Sequence, residues 1–246
     1  MEVAVQNGAN PTPFLQARDR FETEFDIERP VKVFVRSDPY QRTVTAHYPT
    51  YHTLSMSAIA ANSEMAAQLT LHEFAHMVRY EQGHMSHHSS TIEGLYLAAG
   101  GRSVSEDRLA HCLQIANHLK DIYADDLTIE VSVPTRLVDF FEASLATTLI
   151  NRESGSPPRG GNRVTRQNDK AIAAINAAFA IALLDRHDLL PNNHRLFQFA
   201  DTIASDAPMV PFDHFRTLFY SLEENPTASE YRRVLVDAFS TYLEHC

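Results

Sequence analysis

The sequence predicts an α+β fold, with a mixed N-terminal part over residues 1–133 and a mainly helical part over residues 134–246. Three features carry that prediction. Short runs with an apolar–polar period of two, bounded by turn residues, are concentrated before residue 60, as half-buried strands require. Longer runs with apolar residues three and four positions apart fill most of the remainder, as helices with one buried face require. Composition shifts near 130–135, and the two parts are expected to share one core.

Taken in order, Thr12-Pro13 supplies an N-cap and a first-turn proline, so residues 12–25 read as a helix. Val31–Arg36 (VKVFVR) alternates and reads as a strand, and 42–47 and 51–57 read as two more, with Pro49-Thr50 at the bend. Asn62 or Ser63 can cap a helix over 64–81 that stops near Gly83. Residues 83–90 (GHMSHHSS) read as a polar loop, and Thr91–Ala99 as a short helix ended by Gly100-Gly101. Ser105 opens a helix to about Asp125, and Leu127–Val133 (LTIEVSV) alternates as a strand would. Helices follow at about 135–150, 168–186, 193–205, 211–223 and 227–244. Between the first two of these, residues 151–168 hold three of the eight glycines, two of the twelve prolines and four arginines. That is the composition of a mobile loop, and its basic character in an acidic chain would suit a lid or a substrate-reading segment.

The charge balance narrows the function classes. Net charge is −10, with three lysines against 18 arginines, which disfavours broad binding to nucleic-acid phosphates and suits a salt-rich cytoplasm. The longest apolar run, Ala171–Leu184, is interrupted by Asn176 and falls short of the roughly 18 residues a membrane span needs. Met1–Asn10 has no basic segment followed by an apolar one, so no signal peptide is expected and the expected compartment is the cytoplasm. Two cysteines make no disulfide framework; Cys112 reads as a small buried hydrophobe and Cys246 is the last residue. No phosphate loop, dinucleotide fingerprint or nucleophile elbow occurs in the sequence.

One motif carries chemistry, His72-Glu73-Phe74-Ala75-His76. At this histidine content it would arise by chance roughly 0.04 times in a chain this long. On a helix, His72 and His76 share a face one turn apart and can grip one metal ion. Glu73 lies beside them, where a carboxylate can take a proton from an attacking water and pass it to the leaving amine. Leu69, Leu71, Phe74, Ala75 and Val78 supply apolar faces to bury that helix. The bland alternative is a polar surface stripe.

Catalytic zinc needs a third protein ligand and an open position. The metzincin pattern is excluded, because Arg79 and Gln82 occupy its glycine and third-histidine positions. His84, His87 and His88 lie in the polar loop and read most simply as solvent-exposed. On the helix from Ser105, the polar stripe His111, Gln114, His118, Asp121, Asp125 is distinct from the apolar stripe Leu109, Cys112, Leu113, Ala116, Leu119, Tyr123. Asp121 and Asp125 are four apart and share a face; such a stripe could also face solvent. Asp121 is the leading third ligand, Glu93 the alternative metal ligand, with Glu106, His118 and Asp125 behind them. Tyr123, His214, Tyr220 and Tyr231 are candidate oxyanion donors.

The combination resembles the gluzincin group of zinc metallopeptidases, in which HExxH is followed tens of residues later by a second helix carrying Glu-x-x-Ala-Asp or a close variant. The matching segment is Asp121-Ile122-Tyr123-Ala124-Asp125, beginning 45 residues after His76. The resemblance spans about residues 30–130 and implies a zincin-like part built from a small sheet, the HExxH helix and a third-ligand helix. It implies an edge strand that holds the substrate backbone, here in the Tyr51–Ser57 region. It implies one Zn2+ per chain on His72, His76 and Asp121, Glu73 as the catalytic residue, and Asp125 orienting a ligand histidine. Two departures stand out. Aspartate replaces glutamate as third ligand, one methylene shorter, so the two helices must approach more closely. The membrane helices of the heat-shock and prenyl-protein peptidases that share the motif are absent. The chain as a whole is similar to an uncharacterised family of salt-loving archaeal proteins known only as domains of unknown function. The expected function is a soluble zinc-dependent metallopeptidase acting on a peptide or protein substrate, without nucleic-acid or membrane partners. The alternatives are a non-catalytic or regulatory zinc-binding protein on the same scaffold, or a hydrolase of non-peptide bonds.

Overall fold

The computed structural model describes residues 1–6, 8–39, 41–154 and 169–246, so the loop expected at 151–168 lies outside the described residues from 155 on. Packing divides the chain into two units, 1–88 with 123–132, and 89–122 with 133–246. One helix contributes residues to both units.

The first unit contains β1 (Val3–Val5), α1 (Thr12–Phe21), β2 (Val31–Arg36), β3 (Val44–His47), β4 (His52–Ser57), α2 (Ala58–Ala61), α3 (Ala66–Glu81) and α4 (Met85–His88). Its sheet has the order β1-β2-β4-β3. β1, β2 and β4 run parallel, with Val33 opposite Leu54, and β3 is antiparallel to β4. β4 is thus an interior strand, hydrogen-bonded on both sides. This corrects the expectation of an edge in the Tyr51–Ser57 region; the edge beside it is β3. The alternation read in the sequence appears as burial of Val31 and Val33 on β2 and of Leu54 and Met56 on β4. Phe14 and Phe21 of α1 and Phe74 and Val78 of α3 join them in one apolar core, with Phe21 and Phe74 edge to face at 5.8 Å. Each such buried side chain contributes about 1.5–3 kcal/mol.

Helix starts differ from expectation in detail. α1 has no side-chain cap from Thr12; instead Asn10 Oδ1 accepts from the Thr12 N–H at 3.0 Å. Asn62 and Ser63 close α2 rather than opening α3, bonding back to the Ala58 and Ala60 carbonyls.

Glu81, at the end of α3, accepts from the Glu28 and Arg29 backbone N–H groups at 2.8 and 3.0 Å and meets His52 Nε2 at 3.0 Å. His52 Nδ1 lies 3.0 Å from His47 Nδ1, and His47 stacks on Tyr80 at 4.1 Å. Burial first, then the neighbouring rings His52 and His76, pushes the His47 pKa down to about 3; burial also lowers that of His52. The folded state therefore prefers neutral rings. Where the unfolded chain binds more protons, stability rises with pH, so this contribution is complete above the ordinary value of 6.5 and is lost as pH falls towards 3. The urea midpoint should drop on acidification through that window, and His47→Phe, which keeps the stack and removes the titration, should flatten the drop. An unchanged slope in the variant would show that the loss arises elsewhere.

The second unit contains α5 (Thr91–Ala99), most of α6 (Glu106–Val131), α7 (Pro134–Ser154), α8 (Lys170–Arg186), α9 (Arg195–Ser205), α10 (Phe212–Tyr220) and α11 (Ala228–His245). α8 is the helix of the interrupted apolar run; it is buried almost all round and packs with α9 and α10. Asp169 caps it, accepting from the Ala171 and Ile172 N–H groups. α5 packs on α11, where a Cβ on Gly94 would meet Leu235 Cβ at 3.0 Å. Gly94→Val should lower stability by about 1–3 kcal/mol through overpacking, readable as a lowered Tm; an unshifted Tm would mean that the helices separate without cost. Cys112 is fully buried and its thiol pKa is pushed up to about 12 by burial. No helix among the described residues is long and apolar enough to cross a membrane.

The strand expected at 127–133 is the end of α6. Its sequence alternates, but Ala124, Leu127, Thr128 and Val131 are among the buried positions. Those are i, i+3, i+4 and i+7, the helical period, and Thr128 Oγ1 donates to the Ala124 carbonyl at 2.9 Å. Core packing overrides the β-propensity of the run.

Candidate metal centre

α3 presents the motif and α6 its partner carboxylates. Leu71, Phe74, Ala75 and Val78 of α3 share the first unit's core with Ala124, Leu127 and Val131 of α6. Arg79, buried, donates its Nε to the Tyr123 carbonyl at 2.9 Å and its Nη1 to Gln82 Oε1 at 3.2 Å. The side chain that breaks the metzincin pattern is thus a clamp between the two helices.

His72 and His76 stand edge to face at 4.6 Å, and their Nε2 atoms are 3.1 Å apart. Behind His72, Asp125 Oδ1 lies 2.6 Å from Nδ1, and Asp125 is buried. An ionised carboxylate only accepts, so Nδ1 carries the proton and the neutral ring keeps its lone pair on Nε2. One turn before Asp125, Asp121 brings a carboxylate oxygen into a group with the two histidines whose ligand atoms all lie within 4.8 Å of one another. Glu73, next to His72 on α3, is only 7% exposed.

The donor set fits Zn2+. Two imidazoles and one carboxylate are the ligands of an open catalytic zinc site. Two nitrogens about 2.05 Å from one tetrahedral ion would be about 3.3 Å apart, close to the observed separation of the Nε2 pair. Two imidazole nitrogens and a carboxylate oxygen brought this close together are a ligand set that a cation satisfies.

The other candidates fall elsewhere. Glu93 is exposed on α5 with its carboxylate 3.2 Å from Arg232 Nε, and Glu106 is exposed at the start of α6. His118 is buried, with Nε2 2.7 Å from Asn176 Oδ1, its ring stacked on Phe179 and Nδ1 3.7 Å from Asp121 Oδ2. Tyr123 is buried against the His84 ring at 4.5 Å. In the second unit, Tyr231 is buried, Tyr220 is exposed and His214 Nε2 lies 3.4 Å from Asp237.

Sequence reasoning missed the residues behind His76. Residues 83–90 were expected to be an exposed loop, yet His84 and Ser86 are buried, and His87 Nε2 sits 2.8 Å from His76 Nδ1. No spacing rule marks them; the only signal was the density of histidine.

A family described as a family of unknown function (DUF5781) matches residues 1–244. No curated protein and no solved structure matches the chain.

Proposed function

The chain belongs to that family of unknown function, and from its site we propose that it is a zinc-dependent metallopeptidase of the gluzincin kind. The observation that supports this most is the convergence of His72, His76 and Asp121, with Glu73 next to His72 on the same helix. Zinc bound there would polarise a carbonyl and bring the pKa of a water towards about 7. Asp125 holds His72 with its Nε2 turned to the ligand group. Glu73 takes a proton from the attacking water and hands it to the leaving nitrogen. β3, an edge strand packed on α3, offers backbone groups to an extended peptide. A regulatory zinc protein on the same scaffold would use the two histidines and Asp121 but would have no need of Glu73.

The direct test is metal dependence. The purified protein should hold one zinc per chain, a chelator should abolish cleavage of a broad peptide library, and added zinc should restore it. Cleavage that survives complete chelation would overturn the reading. Stoichiometric zinc without any cleavage would favour the regulatory alternative.

A further inference from the structure

A chain of contacts from the α4 turn ends on His76. His76 Nδ1 is 2.8 Å from His87 Nε2, His87 Nδ1 is 2.7 Å from Ser86 Oγ, and Ser86 Oγ is 2.7 Å from His84 Nδ1. Gly83, with φ +67°, turns the backbone at the end of α3, and the His84 N–H returns to the Arg79 carbonyl at 3.0 Å. His84 and Ser86 are buried, so bulk water does not compete strongly for these bonds.

Every contact in the chain joins two atoms that can each donate or accept. Its direction must be set by a group that cannot change role. The Ser86 backbone N–H is such a group: it only donates, and it points at His84 Nδ1 at 3.3 Å. His84 Nδ1 is therefore an acceptor, and the Ser86 hydroxyl proton goes to it as well. That leaves Ser86 Oγ only lone pairs to offer His87, so His87 Nδ1 donates. A neutral imidazole carries one N–H, so His87 Nε2 accepts and His76 Nδ1 donates. His76 then keeps its lone pair on Nε2. Asp125 imposes the same tautomer on His72 from the other side, and the two Nε2 atoms lie 3.1 Å apart.

We propose that His87, backed by Ser86 and His84, is a positioning residue that fixes the tautomer and ring orientation of His76 for metal binding. The Ser86 amide sets the direction of the chain. This rests on the zinc reading of the site. The device differs from the one behind His72: Asp125 orients its histidine with a negative charge, whereas His87 does so as a neutral acceptor and adds no charge to a site that already holds Asp121, Asp125 and Glu73.

The test compares wild type, His87→Leu and His87→Gln. Zinc affinity is measured by competition with a chromophoric chelator, and ligand geometry by the visible absorption of the Co2+-loaded protein. Thermal unfolding of the metal-free proteins checks the fold. His87→Leu removes the acceptor and should weaken zinc binding by about 10–100-fold, with altered Co2+ bands. His87→Gln can accept from His76 through its amide oxygen and donate to Ser86 through its nitrogen, so it should recover most of the affinity and the wild-type bands. Wild-type affinity and spectrum in His87→Leu would overturn the proposal, and so would a His87→Gln variant that folds and is as impaired as His87→Leu. A wild-type protein that takes up neither zinc nor Co2+ would overturn the metal reading itself, a result distinct from metal binding that is indifferent to residue 87.

Discussion

Glu73→Gln is expected to lower peptide hydrolysis by about 10²–10⁴-fold while zinc stays at one per chain. Glutamine is nearly isosteric and neutral, so it fills the same buried space and removes only the ability to take a proton. Glu73 follows His72 on α3 and is not one of the three members of the ligand group, so metal content should be insensitive to the change. Burying an amide in place of a carboxylate also removes a desolvation cost, so the variant should melt no lower than wild type. Two measurements on one preparation decide the matter, zinc by atomic absorption and initial rates on a peptide library. Wild-type rates in a zinc-replete variant would remove Glu73 from the mechanism; lost zinc would make it a ligand.

Asp121→Ala should have the second large effect, on the metal itself. It deletes one of the three proposed protein ligands, and the loss should exceed the about 10–100-fold typical of an outer partner. Asp125→Ala supplies the comparison on the same helix face. It leaves all three ligand atoms and removes only the acceptor 2.6 Å behind His72 Nδ1, so its effect on zinc affinity should stay within that outer range. The ordering Asp121→Ala worse than Asp125→Ala is the discriminating result. The reverse ordering would make Asp125 the ligand and Asp121 the support. Asp125 is the more buried of the pair, so the metal-free Asp125→Ala protein should also be the less stable one.

How far the sequence carried these conclusions differs from element to element. β2 and β4 were legible because each buries one face, which writes a period of two into Val31, Val33, Leu54 and Met56; β3 alternates between exposed and half-buried residues instead. The α6 continuation through Leu127–Val131 was misread because a short run of alternating residues also satisfies the helical period, and only the core it meets chooses between them. β1 was not anticipated: three residues carry too little pattern, and its identity comes from pairing with β2. The position of β4 inside the sheet was likewise out of reach, since strand order is set by non-local pairing.

By itself the sequence determined the local chemistry of this protein. Four-residue spacing on a helix puts His72 with His76, and Asp121 with Asp125, on common faces wherever those helices lie, because the turn geometry is fixed by the backbone. Only the tertiary structure decided what those faces meet. It set α3 against α6 through the Arg79 clamp and the shared apolar core, so that Asp125 reaches His72 and Asp121 joins the ligand group. It also folded a histidine-rich segment with no recognisable spacing back onto His76. Those contacts depend on chain reversal at Gly83 and on burial, and neither leaves a periodic trace in the order of the residues.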